Sequence, residues 1–199
     1  MRPPLLHASA LLTVAIALLV GCERRPYGPY GTDPSAVVRD TNGSDRLFRE
    51  ATPYLSTKPE EARDLLRQAL DKDLYNGPAH NNLGVLLLAE GNLYEAAREF
   101  EWARKLLPGH PDPRVNLAIA LEAADKHTDA IEAARAALEV QPGHLPAIQT
   151  LALIQVRSDA CDEKTPELLA AIVQRSPDPE WRSWAAQSKV RLEARHAER

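Results

Sequence analysis

PAHNNLGVLLLAEGNLYEAAREFEWARKLLP, residues 78–108, reads as two short amphipathic helices folded back on each other. Within it Leu83-Gly84 is followed by Ala96, Phe100, Ala103 and Leu106, and Pro108 closes the stretch. The same places recur downstream at one fixed offset. Leu83, Leu117 and Leu151 share one phase, and Gly84, Ala118 and Ala152 the next. Ala62, Ala96 and Ala130 share a third, Ala69, Ala103 and Ala137 a fourth, and Pro108 and Pro142 end their units alike. Small residues at 84 and 96 let two helices approach closely, while Leu83, Phe100 and Leu106 fill the space toward the next pair. One pair cannot bury its apolar side alone. Stacked pairs can, so the period predicts an all-α solenoid with a continuous core.

On either side of this stretch, residues 44–176 divide into about four such units, the first and last degenerate. In the first, Ser44 or Asp45 is expected to cap a helix bearing Leu47, Phe48, Ala51, Tyr54 and Leu55, and Pro59 to open its partner. Arg49-Glu50 stands where Leu-Gly belongs, which predicts an intervening turn one residue shorter. Units two and three, residues 77–110 and 111–144, fit best: Asp112-Pro113 forms an N-cap followed by a helix-opening proline, and Gly91 supplies a sharp turn. In the fourth, Lys164 sits at the Ala position, so an insertion over 158–165 is expected to delay the second helix to Pro166. A capping helix over 177–199 follows, with Trp181, Trp184, Ala185, Ser188 and Leu192 on one face.

The recurring Leu83-Gly84, Ala96, Phe100, Pro108 pattern resembles the tetratricopeptide repeat, a helix-turn-helix unit of about 34 residues. His80, Leu87 and Leu74 stand where that family usually has Trp, Tyr and Pro. The resemblance implies that the first helix of each unit lines a concave groove, with positions five, six, nine and twelve pointing into it. Position five is Asn81, Val115, Gln149; six is Asn82, Asn116, Thr150; nine is Val85, Ile119, Leu153; twelve is Leu88, Glu122, Val156. An Asn amide donates and accepts at once, so this ladder either holds an extended backbone whatever its sequence or merely echoes the repeat. Beside it the apolar stripe suits hydrophobic side chains. The members of the family that clamp a terminal carboxylate need Lys or Arg at positions five and nine, which these three units lack. Trp102 falls at position 26, usually solvent-facing on the convex side. It is read as a second docking patch rimmed by Glu95, Arg98 and Glu99, or else as a ring lying flat over its neighbours.

The amino terminus is different in kind. Arg2 is followed by an apolar run over 10–20, interrupted by Thr13, and then Leu19-Val20-Gly21-Cys22. The run is too short for a mature span, which takes about 20 apolar residues, and suits a signal peptide over 1–21. Leu-Val-Gly-Cys resembles the lipobox of bacterial lipoproteins, which implies cleavage before Cys22 and a diacylglycerol carried on its sulfur. Glu23, not Asp, follows, and the sorting rule of such proteins then favours the outer membrane. Residues 22–43, with Pro26, Gly28, Pro29, Gly31 and Pro34, are expected to form a flexible tether reaching roughly 25 Å.

A net charge of −4 gives no general attraction to nucleic acid. No phosphate loop, paired-Cys spacing or nucleophile motif occurs, so neither catalysis, a cofactor nor a small-molecule substrate is indicated. Cys161 is the thiol that remains after lipidation and is read as a small half-buried residue. His110 and His144 end consecutive units in Pro-Gly-His turns, and with the acidic Asp159, Asp162 and Glu163 they support an alternative reading as a metal-carrying or catalytic envelope protein. The preferred expectation is a lipid-anchored, non-enzymatic scaffold that binds an envelope protein in its groove. The lipoproteins it resembles serve pilus and secretin assembly, the Flp/Tad type included, outer-membrane protein insertion or peptidoglycan-enzyme recruitment.

Overall fold

The computed structural model of the protein describes residues 39–197. The signal-peptide, lipidation and tether readings on residues 1–38, Cys22 among them, lie outside these. Among the described residues the regular structure is helical: α1 (Thr41–Ala51), a 3-10 turn (Thr52–Tyr54), α2 (Pro59–Lys72), α3 (Gly77–Ala89), α4 (Leu93–Leu106), α5 (Asp112–Ala123), α6 (His127–Val140), α7 (Leu145–Arg157), α8 (Thr165–Arg175) and α9 (Pro179–Ala197). Consecutive helices pack pairwise, and α5 also packs on α3 and α7, as in a stacked solenoid. Proline stands in the first turn of α2, α3, α5, α7 and α8, where its missing N–H costs no helical bond.

The period is present in the backbone. α2, α4 and α6 open at Pro59, Leu93 and His127, each one repeat after the last. Ala62, Ala96 and Ala130, and again Ala69, Ala103 and Ala137, are fully buried. A Cβ on Gly84 would lie 2.6 Å from the Phe100 ring, so glycine is required by the close approach of α3 and α4. The link inside each pair also repeats. Gly91, Asp125 and Asp159 take φ of 80°, 57° and 54°. The next amide in each case closes back on the helix, Asn92 to Leu87 O, Lys126 to Leu121 O and Ala160 to Gln155 O, all at 2.9 Å, which is the Schellman closure. Asp tolerates the left-handed region because its short carboxylate bonds locally, so the glycine signal vanishes from units three and four while the geometry persists.

The first unit departs from expectation. α1 is capped by Asp40, whose carboxylate accepts from Gly43 N at 2.9 Å; Ser44 is buried and accepts from Asn76 Nδ2 at 2.9 Å. Its inward residues Ser44, Leu47, Phe48 and Ala51 precede His80, Leu83, Gly84 and Leu87 by two positions more than the repeat period. The connector to α2 is therefore longer, not shorter: 52–58 against 90–92. Arg49-Glu50 cannot occupy buried positions, so the helix slides by two residues to bury Leu47-Phe48, and the 3-10 turn takes up the excess. Residues 39–43, assigned above to the tether, are folded. Arg39 Nε and Nη2 each donate to Asp73 at 2.9 Å, and Asp40 N donates to Lys72 O at 3.0 Å.

The fourth unit holds no net insertion, because α9 opens at Pro179, one full period after α7 at Leu145. What changes is α8, which starts at Thr165. A helix begun at Cys161 would carry Pro166 in its interior, clashing with the carbonyl of Asp162. Asp162 instead organises the turn that leads into α8, its Oδ1 accepting from Lys164 N at 2.9 Å and Thr165 N at 3.0 Å. The buried face becomes Thr165, Leu169 and Ile172, one residue later than Ala130, Ala134 and Ala137 of α6 project, and the shorter link into α9 restores the phase.

Candidate functional site

The first helices α3, α5 and α7 carry the predicted groove positions, and the structure sorts them into three groups. Val85 and Ile119 are the exposed pair, at 39% and 40%, successive members of position nine. Asn81, Asn82, Leu88, Asn116, Gln149 and Leu153 are half-buried. Val115 and Thr150 are buried, which corrects their assignment to the groove surface. Val115 packs with Ala137 and Ala147 in the core, because small alanines there leave room that its branched side chain fills.

The amide ladder is cross-linked. Asn116 Nδ2 donates to Asn81 Oδ1 at 2.9 Å, bridging α5 and α3, and Gln149 Nε2 approaches Ser176 Oγ at 3.4 Å. At position twelve Glu122 is buried, its Oε2 2.6 Å from His127 Nδ1 and its Oε1 3.7 Å from Arg157 Nε. The register also continues past the expected limit. α9 follows α7 by one period, so Trp184 stands at position six and Gln187 at position nine of a fifth first helix. Trp184 meets Trp181 edge-to-face at 5.3 Å. The offset from Thr150 to Trp184 carried that signal.

Trp102 is not a free patch. Its ring stacks on His80 at 5.5 Å with planes 10° apart, and Glu99, expected on the polar rim, is buried. His80 is fully buried, its Nε2–H donating to Leu74 O at 2.9 Å and its Nδ1 2.6 Å from Glu99 Oε2. His80 holds the place of the family's usual Trp, and the indole that covers it comes from the second helix instead. On the same side a cleft of about 560 Å³ runs between α4 and α6, floored by Leu117 and Leu121 and flanked by exposed Tyr94, over which Lys126 lies at 5.5 Å.

His110 and His144 differ in their surroundings. His144 Nε2 is 3.1 Å from Asp112 Oδ1, His110 is exposed, and among the described residues no three His, Cys, Asp or Glu side chains converge. In the acidic loop Asp162 is tied to Arg135 Nη2 and Gln155 Nε2, each at 2.8 Å. Burial opposes its charge, but those donors hold its carboxyl below the ordinary value. Burial, with the nearby Asp159 charge, pushes the Cys161 thiol up, and Cys161 Sγ–H donates to Gln155 O at 3.6 Å. Both influences disfavour the thiolate, the nucleophilic form.

The tetratricopeptide repeat model matches residues 87–154. A peroxisomal targeting signal receptor of Saccharomyces cerevisiae is 33% identical over 84 residues, covering 42% of this chain and 14% of the receptor. The chain thus spans a small fraction of that relative. Among solved structures, YrrB, titled a tetratricopeptide protein with an unusual peptide-binding site, superposes with a TM-score of 0.61 at 21% identity, over 74% of this chain and 76% of its own. MamA from Desulfovibrio magneticus RS-1 gives 0.60 at 19% identity, over 69% and 78%. The first repeat domain of Spaghetti (RPAP3), bound to an HSP90 peptide, gives 0.58 at 21% identity, over 62% and 98%. The described residues therefore fold as a tetratricopeptide-repeat solenoid, with that family's repeat matched over 87–154.

Proposed function

We propose that the protein is a non-enzymatic interaction scaffold whose concave groove binds an extended segment of a partner protein. The observation that carries this is the exposed Val85–Ile119 stripe lying one helical turn from the Asn82 and Asn116 amides. Two aligned aliphatic side chains exposed beside half-buried amides suit an extended strand, which offers alternating apolar side chains and backbone N–H and C=O groups to the amide atoms that the Asn81–Asn116 bond leaves over. The peptide-bound relative lends the same reading by fold alone. We also propose that Cys22, cleaved and acylated, anchors the scaffold in a bacterial envelope, with the outer membrane favoured by Glu23, and that its partner serves envelope assembly of the pilus or secretin kind. Acyl chains on that sulfur hold a protein far more firmly than one chain does, at about 0.8 kcal/mol per buried methylene.

Site-specific photocrosslinking in living cells tests the groove. A crosslinker at Ile119 should capture a partner that one at Glu132, on a second helix, does not. Equal capture from both positions would sink the groove reading. The anchor is tested separately by Cys22→Ser, which should leave an uncleaved precursor of higher mass; a variant of mature mass still in the membrane fraction contradicts lipidation.

A further inference from the structure

We propose that the unit-one end of the groove is a basic subsite that takes acidic side chains of the bound segment, an inference that rests on the groove reading above. The two-residue slip of α1 is what creates it. With Ser44, Leu47, Phe48 and Ala51 facing inward, groove positions five, six, nine and twelve of the first unit fall on Asp45, Arg46, Arg49 and Thr52. Arg46 thus stands in line with Asn82 and Asn116, and Arg49 with Val85 and Ile119. The repeat period alone would have sent Arg49-Glu50 into the core and hidden this arrangement.

Both guanidinium groups are exposed, and neither makes an ion pair or side-chain hydrogen bond among the described residues. Their neighbours are committed: Arg39 lies on Asp73, Arg63 on Glu90, and Asp45 Oδ1 accepts from Asn76 Nδ2 at 3.3 Å. Glu50 falls in the register of buried Leu86, off the groove positions. Beside Arg49 opens a cleft of about 400 Å³ whose lining includes Asp45, Phe48, Tyr75, Asn76 and Pro78. Asp45 and Glu50 stand four residues from Arg49 and Arg46 on the same helix, yet neither arginine is within ion-pair distance of a carboxylate among the described residues, so both guanidinium groups are left to take a carboxylate that arrives at this groove end. The occupant is accordingly an extended segment with Asp or Glu at one end of an apolar run. Its acids meet Arg46 and Arg49 while its aliphatic side chains lie on Val85 and Ile119.

Fluorescence anisotropy on the full chain tests this with end-capped peptides: three acidic residues followed by alternating Ser and Val, the same peptide in reverse order, and the Asn/Gln analogue of each. One acidic order should bind about ten-fold tighter than its neutral analogue in dilute salt, and that gain should vanish at roughly 0.5 M NaCl. Arg46→Gln with Arg49→Gln should abolish the gain, so that acidic and neutral peptides bind the variant alike, with the thermal melt unchanged. If acidic and neutral peptides bind alike and the double variant does too, the basic subsite is wrong and the groove reading stands. If no peptide binds, the groove reading falls and takes the subsite with it. If a neutral peptide with a free carboxyl terminus gains as much as the acidic one, a chain terminus and not acidic side chains is the ligand, and the proposal is overturned.

Discussion

Units two and three share a backbone and differ in what they bury. Their second helices are offset by one period at both ends, and Gly91 and Asp125 make the same left-handed closure. Inside, unit two sets Gly84 against Phe100 and encloses His80 and Glu99 beneath Trp102. Unit three clusters Ala118 with Ala134, and puts Arg114, Ala133 and Ala136 where unit two has His80, Glu99 and Trp102. The repeat thus dictates positions, while the filling is divided differently across the helix pair: a large ring meets glycine in one unit, and alanine lies with alanine in the next. A solenoid tolerates such variation because each unit contacts only its neighbours.

The largest effect is expected from Phe100→Ala, which should cost about 3–5 kcal/mol in a urea melt, since it empties a fully buried ring. Gly84→Ala then probes the exchange of volume directly. In the native chain the new Cβ meets the Phe100 ring at 2.6 Å, so the substitution should destabilise. In the Phe100→Ala background it recreates the pair of unit three and should stabilise, by about 1 kcal/mol from helix propensity alone. The sign change is the test; equal effects in both backgrounds would mean the two helices do not trade volume.

Next in size is the polar core of unit two. Glu99→Ala removes the carboxylate that faces buried His80 Nδ1 and should cost about 1–3 kcal/mol. Combining it with His80→Ile, the residue type that unit four buries as Ile148, should cost less than the single substitution, because the buried imidazole is removed with its carboxylate and only the part-buried Leu74 O loses a donor. If the double variant is the less stable of the two, the His80–Glu99 pair contributes stability beyond satisfying itself.

A smaller, pH-dependent effect separates the junctions into units two and three. Asp73 sits at the first, and Leu107 holds its place at the second. Burial alone would push the Asp73 carboxyl up, but the Arg39 guanidinium, the Tyr75 amide and the Thr41 hydroxyl together hold it below its ordinary value. A depressed folded value means the contribution is present above the unfolded carboxylate range and is lost as pH falls through the lower, folded one. Asp73→Asn should therefore flatten the acid limb of the stability profile and change it less near neutrality. An unaltered acid limb would show that Asp73 is not a source of it.

The second helices α2, α4 and α6 are legible in the sequence because periodic Ala marks their contacts, and proline marks the start of α2. The first and fourth units are not. In both, a local demand outweighs the period: two charged residues that cannot be buried at 49 and 50, and a proline that cannot lie inside a helix at 166. The exposure of Val85 and Ile119 is legible from their position in the repeat, and the burial of Val115 is not, because position alone does not reveal that small neighbours admit the side chain. Position alone does not decide between a free Trp102 and a ring lying flat, because the residue it stacks on, His80, belongs to another helix.

The smallest effect lies at the one turn where the two units agree in shape and differ in residue. A Cβ on Gly91 would touch nothing within 4 Å, so replacing this glycine perturbs only the backbone at φ 80°. Gly91→Asp should therefore cost about 0.5–1 kcal/mol, the left-handed penalty of a side chain that partly offsets it by local hydrogen bonding. Asp125→Gly, at φ 57°, should return a similar amount, reduced by the entropy glycine adds to the unfolded chain. Thermal melts of the two single variants and the exchanged pair decide it. Opposite shifts that nearly cancel in the pair mean the two turns are interchangeable parts of one repeat; shifts of the same sign would mean that Asp125 makes contacts in unit three that the backbone geometry does not account for.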